Sequence, residues 1–271
     1  MRVLRFIATC ILLIVVGTSL AANILAPNDY AMQSREHANE PPSRTFPLGT
    51  DELGRDRFSR LLYGMRVSLL LAPLTALLAT GIAAGVGLAS GYFGGWLDQI
   101  ATVCMDLFLS LPWLFALLTL RALLPLDIPP WTSLAATFML LALVGWASGA
   151  RIVRASVQTL RGEASILHAR SYGCSSRRLL WRHLLPNLKP VLIAQFWILV
   201  PVFLLAEANL GMLGLGVSEP LPSWGSLLKE LEPQAADWRL LAGQYWLLAP
   251  AALLVAVVIG LRIVFPAEVK S

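Results

Sequence analysis

About six stretches of this chain are apolar for long enough to cross the hydrocarbon core of a bilayer, and nothing else in it constrains the fold as strongly. They are centred on residues 4–26, 67–93, 100–124, 131–149, 190–214 and 242–265. A helix rises 1.5 Å per residue, so each crossing needs roughly 20 residues. Within lipid every backbone N–H and C=O must find its partner inside the protein, which makes helices the expected spanning element. The expectation is an all-α integral membrane protein. Its composition of 57% hydrophobic and 14% charged residues agrees.

The first run admits two readings. Arg2 and Arg5 precede it, and Ser19-Leu20-Ala21-Ala22 closes it with small residues, so residues 1–26 form either a retained first helix or a signal-like segment. The run is longer than a usual signal core, which favours the retained helix. The formal charge of +5 comes from residues clustered beside the spans, as the positive-inside rule expects, and gives no reason to invoke nucleic acid. Cys10, Cys104 and Cys174 are scattered over two spans and a loop, with neither a disulfide framework nor metal-ligand spacing.

Residues 27–66 read as a polar external segment in which Pro27, Pro41, Pro42 and Pro47 break any long helix. Gly49-Thr50-Asp51 supplies a turn and a candidate N-cap for a short amphipathic helix over Glu52–Leu62, with Arg55, Asp56, Arg57 and Arg60 facing water. In the second span Gly81, Gly85, Gly87 and Gly91 make two small-x-x-x-small pairs, a face for close helix packing.

Three residues in the spans are candidates for a translocation pathway. Asp106 is a carboxylate at costly depth, Pro112 interrupts the third span, and Glu207 lies late in the fifth. Asp106 and Pro112 read equally as an interfacial carboxylate and a packing bend. After Glu207, Gly211, Gly214 and Gly216 permit a helix break, and residues 216–241 read as an external loop with Trp224 as an interfacial anchor.

Between the fourth and fifth spans, residues 151–189 form a basic segment that reads as a cytoplasmic helix-turn-helix. Eight Lys and Arg residues fall between Arg151 and Pro190, and Gly173 divides two helical halves. The chain has no G-x-x-x-x-G-K-[ST], so it holds no phosphate cradle of its own, and no H-E-x-x-H, C-x-x-C or G-x-S-x-G. An ion-coupled carrier would need more buried charge than Asp106 and Glu207.

Four blocks together resemble one family. Pro47-Leu48-Gly49-Thr50-Asp51-Glu52-Leu53-Gly54-Arg55-Asp56-Arg57-Phe58-Ser59-Arg60, followed by Gly64, Arg66 and Ser68, is similar to a segment of the permease subunits of ABC importers for dipeptides, oligopeptides and nickel. Trp146, Ala150-Arg151 and Arg154 resemble the entry to that family's coupling loop, and Gly173 with Leu185-Pro186-Asn187 its body. Leu213-Gly214-Leu215-Gly216-Val217 and Pro222-Ser223-Trp224-Gly225 resemble the segment after the fifth span. The likeness is to the second-permease, or C-type, subgroup, over residues 47–228. Two departures mark a divergent member: Leu167-His168-Ala169 stands where the family has Glu-Ala-Ala, and the last span is reduced to Gly260-Leu261-Arg262 and Pro266.

The resemblance implies a type I importer permease fold of about six membrane helices in the bacterial inner membrane. It implies half of a pore for peptides or related solutes, completed by a second homologous permease, driven by two cytoplasmic ATPase subunits and fed by an external solute-binding protein. No cofactor is implied. Arg170, Ser171, Tyr172, Gly173, Cys174 and Ser175, with Leu185 and Pro186, become the candidate ATPase-coupling residues. Gly49, Thr50, Asp51, Gly54, Arg55, Asp56, Ser59 and Arg60 become the external motif. A nickel or metal-chelate permease is the alternative substrate class, and a non-transporting scaffold with the same fold is the alternative of another kind.

Overall fold

The computed structural model describes residues 2–125, 128–231 and 243–266. Among them the chain is helical almost throughout, and its one β-type pairing is an isolated bridge between Thr50 and Asp56. The main helices are α1 (Arg2–Leu20), α2 (Arg57–Phe93), α3 (Gly95–Ser110), α4 (Trp113–Ala122), α5 (Pro130–Gly145), α6 (Ala147–Arg161) and α7 (Ala164–Ser171). They continue with α8 (Ser176–Leu179, extended by a π turn over Leu180–Leu184), α9 (Leu185–Met212), α10 (Trp224–Lys229) and α11 (Ala249–Val264).

Among the described residues five helical stretches are long and apolar enough to cross a membrane: Arg2–Leu20, Arg57–Phe93, Pro130–Arg161, Ser176–Met212 and Tyr245–Val264. The expected crossing at 100–124 is no single rod, because α3 and α4 meet at 88°. Pro112 accounts for the corner. A proline ring excludes its predecessor from the helical region, and Leu111 is extended at φ −78°, ψ 132°.

The chain divides into two compact bodies. The first draws on Met1–Ala72, Leu120–Met139 and Pro201–Pro266. In it α1 packs along α11, with Gly260 of α11 against the Leu12 side chain. The Asn23 amide oxygen accepts hydrogen bonds from the Tyr63 hydroxyl at 3.0 Å and Arg66 Nη1 at 2.9 Å, tying the chain after α1 to the start of α2.

The separate amphipathic helix expected over Glu52–Leu62 is instead a turn followed by the first residues of α2. Asp51 Oδ1 accepts the backbone N–H groups of Leu53 at 2.9 Å and Arg55 at 2.8 Å, which closes residues 51–55 into an Asx-type turn. The N-cap is Asp56 rather than Thr50 or Asp51: its Oδ1 accepts the Phe58 N–H at 3.1 Å, and its Oδ2 the Ser59 hydroxyl at 2.6 Å.

The second body draws on Pro73–Thr119 and Leu140–Val200. Half of the expected glycine face forms a contact. A Cβ at Gly87 would lie 2.7 Å from the Ala150 carbonyl oxygen, and one at Gly91 2.8 Å from that of Arg154, so α6 packs directly on the α2 backbone. Gly81 and Gly85 face open space. Trp146, Ala147 and Ala150 pack with Ala83 and Met105, and the Phe108 ring meets Trp146 edge-on at 5.5 Å.

The basic segment contains three helical pieces rather than two. Its first third is the end of α6, whose Val153 and Val157 are buried with Ile166, Leu179, Leu184 and Leu188. The chain breaks at Gly162, forms α7, turns at Gly173, and returns through α8. The π turn follows from Pro186, which has no N–H for the Arg182 carbonyl; the Leu185 N–H bonds instead to the Leu180 oxygen, five residues back.

Candidate functional site

Two groups of side chains stand out, one in each body. In the first body Asp51, Arg55 and Arg60 meet Glu219 and Glu230. Arg55 donates from Nε to Asp51 Oδ2 at 2.6 Å and from Nη1 to Glu219 Oε2 at 2.6 Å. Arg60 donates from Nη2 to Glu230 Oε1 at 2.6 Å and to Glu219 Oε1 at 3.2 Å. The expectation that Arg55, Asp56, Arg57 and Arg60 face water is therefore overturned for Arg55, Asp56 and Arg60, which are buried, while Arg57 is half-buried with Nε donating to the Thr50 carbonyl at 2.8 Å. A buried guanidinium needs polar partners to replace its water, and Glu219 and Glu230 come from a segment some 160 residues away, beyond any local pattern.

Burial pushes the Glu230 carboxyl above its ordinary range and Asp51 adds to the rise, while Arg60 opposes it. Arg55, Glu219, Lys229 and Glu230 line an open cleft of about 400 Å³ together with Gly211, Gly214 and Gly216. Of the remaining motif residues, Gly49 and Gly54 take left-handed φ angles of 69° and 72° in the turns around Thr50 and Asp51. Thr50 Oγ1 accepts the Glu40 N–H at 2.8 Å and donates to the His37 carbonyl. The whole motif thus folds as one unit that supports the cation pair.

Glu207 lies in the same body and is fully buried. Its Oε2 accepts the Ser68 hydroxyl at 3.1 Å and its Oε1 the Gly225 N–H at 3.3 Å, while Ser68 Oγ accepts the Trp224 N–H at 3.2 Å. Trp224, expected as an interfacial anchor, is buried too, with its indole N–H donating to the Pro250 carbonyl at 3.0 Å. Ser223 and Ser226 form a capping box at the start of α10. Arg121, missed in the sequence, is buried with Nη2 on Ser133 Oγ at 2.8 Å and the Gly216 carbonyl at 3.2 Å. A lone cation inside the 100–124 run was the signal for it. Residues 232–241, at the end of the loop expected over 216–241, lie outside the described residues.

In the second body Asp106 and Arg151 form an exposed ion pair, with 56% and 51% of their side chains accessible. One turn further along α6, Arg154 grips Asp98 with two bonds, Nε to Oδ1 at 2.5 Å and Nη2 to Oδ2 at 2.8 Å. Arg161 Nη1 donates to the Gly91 carbonyl at 3.1 Å. The helix entering the basic loop is thus tied to α3, whose end is the Pro112 corner.

At the loop's tip Arg170, Ser171, Tyr172, Gly173 and Ser175 are exposed, Tyr172 to 89%, and Cys174 is half-buried against the leucine core. Gly173 has φ +77° with open space around its Cβ position, so conformation rather than room requires glycine there. Leu185 is partly buried and Pro186 exposed at the π turn.

Residues 81–267 match the family of binding-protein-dependent transport system inner membrane components. The chain belongs to this family. It is 33% identical over 236 residues to the dipeptide transport system permease protein DppC of Bacillus subtilis (strain 168), covering 87% of this chain and 70% of that protein. It is 31% identical over 239 residues to the oligopeptide transport system permease protein OppC of the same strain, covering 88% and 76%. With OppC of Mycobacterium tuberculosis (strain ATCC 25618 / H37Rv) it shares 34% identity over 252 residues, 92% of this chain and 82% of the relative. As an inner membrane component of this family the chain is a multi-pass permease subunit of an ABC importer.

Proposed function

We propose that this permease forms half of a translocation pathway for peptides, pairs with a second homologous permease, and is driven by two ATPase subunits that dock on the Arg170–Ser175 turn from the cytoplasm. The chain has no nucleotide motif, so ATP hydrolysis belongs to those partners. An external binding protein supplies the solute. The dipeptide and oligopeptide systems named for its relatives support the substrate class.

The observation that carries the docking assignment is the contrast between the exposed Gly173 turn and its buried base. Ile166, Leu179 and Leu184 lock the helices on either side of the turn onto Val153 and Val157. A push at Tyr172 then moves α6 as a rigid body, because packed cores shift rather than deform. Through Arg154–Asp98 and Arg151–Asp106 the same displacement reaches α3 and the Pro112 corner, which we assign to the pathway.

A photo-cross-linking residue in place of Tyr172, in the complex purified from its native membrane, should capture an ATPase subunit. Capture of the binding protein instead, or none from a complex that retains its ATPases, overturns the assignment. Gly173→Leu should leave the assembled complex able to hydrolyse ATP while abolishing ATP-driven uptake of a labelled oligopeptide into proteoliposomes. Full uptake by that variant would count against coupling through this turn.

A further inference from the structure

The cations of the basic segment fall into two classes. Arg151, Arg154 and Arg161, on α6, are held by Asp106, Asp98 and the Gly91 carbonyl. From Ala164 to Ala206 the sequence contains no carboxylate, yet it carries Arg170, Arg177, Arg178, Arg182 and Lys189. All five are exposed, and among the described residues none has an ion-pair partner. Leu179, Leu184 and Leu188 are buried and fix the inner side of this stretch. Arg177, Arg178, Trp181, Arg182 and Lys189 share its outer side, with Trp181 68% exposed.

We propose that this outer side of α8 and the start of α9 binds the headgroups of anionic phospholipids. Lys189 adjoins the apolar run that begins at residue 190, and Arg182 and Trp181 follow within about 12 Å at 1.5 Å per residue. That distance is within the headgroup layer plus one screening length. Basic residues flanking a span are attracted to an anionic surface, and an exposed tryptophan beside them suits the interface. The leucines of this stretch point inward, and its outer side presents four cations around one aromatic ring with no carboxylate among them, a charge density suited to an anionic surface. The inference is independent of ATPase docking at the Arg170–Ser175 turn.

The test uses the assembled transporter in nanodiscs of phosphatidylcholine containing a minor fraction of phosphatidylglycerol, with native mass spectrometry of the lipids retained after detergent transfer. The wild-type complex should be enriched in phosphatidylglycerol, and R177Q/R178Q/R182Q/K189Q should lose at least about tenfold of that enrichment with all subunits retained. Singly, Arg182→Gln should lose more than Arg177→Gln, and Arg182→Lys should keep it; these singles decide the matter where the quadruple variant fails to assemble. Equal enrichment in wild type and variants overturns the proposal. So does loss of a subunit with lipid enrichment unchanged, which would make the face a protein interface.

Discussion

The Ser68 hydroxyl lies 3.1 Å from a carboxylate oxygen of Glu207, and both side chains are fully buried. Ser68 also accepts the Trp224 N–H while Glu207 accepts that of Gly225, so two helix side chains cap the first residues of α10. Glu207 in α9 and Ser68 in α2 thereby clamp the start of α10. Glu207→Leu strands the Ser68 hydroxyl and the Gly225 N–H without an acceptor and should cost roughly 2–5 kcal/mol, against about half of that for Glu207→Gln, which keeps one acceptor oxygen. Thermal unfolding in detergent measures the difference; a leucine variant as stable as wild type would remove the clamp from the account.

The same clamp brings two backbones together. A Cβ at Gly211 would sit 2.3 Å from the Gly225 Cα, where only backbone could yield. Gly211→Ala should therefore prevent recovery of folded protein, while Gly81→Ala, with nothing within 4 Å of its Cβ position, should be neutral or raise stability by up to about 1 kcal/mol through helix propensity. Yield and melting temperature of the two variants, prepared side by side, check both halves.

These residues show what was legible and what was not. Hydropathy locates the spans because a crossing needs a long apolar run, and Pro112 and Gly173 act locally, through the backbone of their immediate neighbours. The break at Gly162 and the π turn before Pro186 are local too, but glycine and proline permit several outcomes. An isolated arginine belongs in water, which is why the sequence alone places Arg55 and Arg60 there. Their acids, Glu219 and Glu230, come from beyond the fifth span, and no periodicity reports a contact across that distance. The family resemblance marks the Gly49–Arg60 motif, but its physical role as a buried cation support arises only in the fold, where Glu219 and Glu230 reach it.

His37 offers a pH-dependent contact in the first body. Its Nδ1 lies 2.7 Å from Glu40 Oε1, and the hydrogen bond and charge of Glu40 hold its pKa above the ordinary 6.5, with slight desolvation opposing and Glu36 assisting. A histidine raised in this way contributes its stabilisation fully below pH 6.5 and loses it as the pH rises through the folded pKa. Because the pair is exposed the effect on global stability is small and shrinks with salt. Glu40→Gln should lower the His37 pKa toward 6.5, measured by imidazole NMR with His168 and His183 replaced by glutamine. An identical pKa in both proteins would show that the pair does not persist in solution.

The two ion pairs between α3 and α6 should differ in strength. Arg154 and Asp98 are mostly buried and joined by two short bonds, whereas Asp106 and Arg151 are each about half exposed. A bidentate, partly desolvated pair resists screening, while an exposed one trades its attraction against water and side-chain entropy. Asp98→Asn should therefore lower stability by about 1–3 kcal/mol and Asp106→Asn by less than about 1 kcal/mol. A double-mutant cycle with Arg154→Gln should assign most of the Asp98 loss to the pair, and the exchange Asp98→Arg with Arg154→Asp should recover part of it. If α6 transmits movement from the loop, Asp98→Asn should also reduce peptide uptake per ATP hydrolysed while Asp106→Asn leaves it near wild type. Equal losses in the two variants would mean that exposure does not set the strength of these ties.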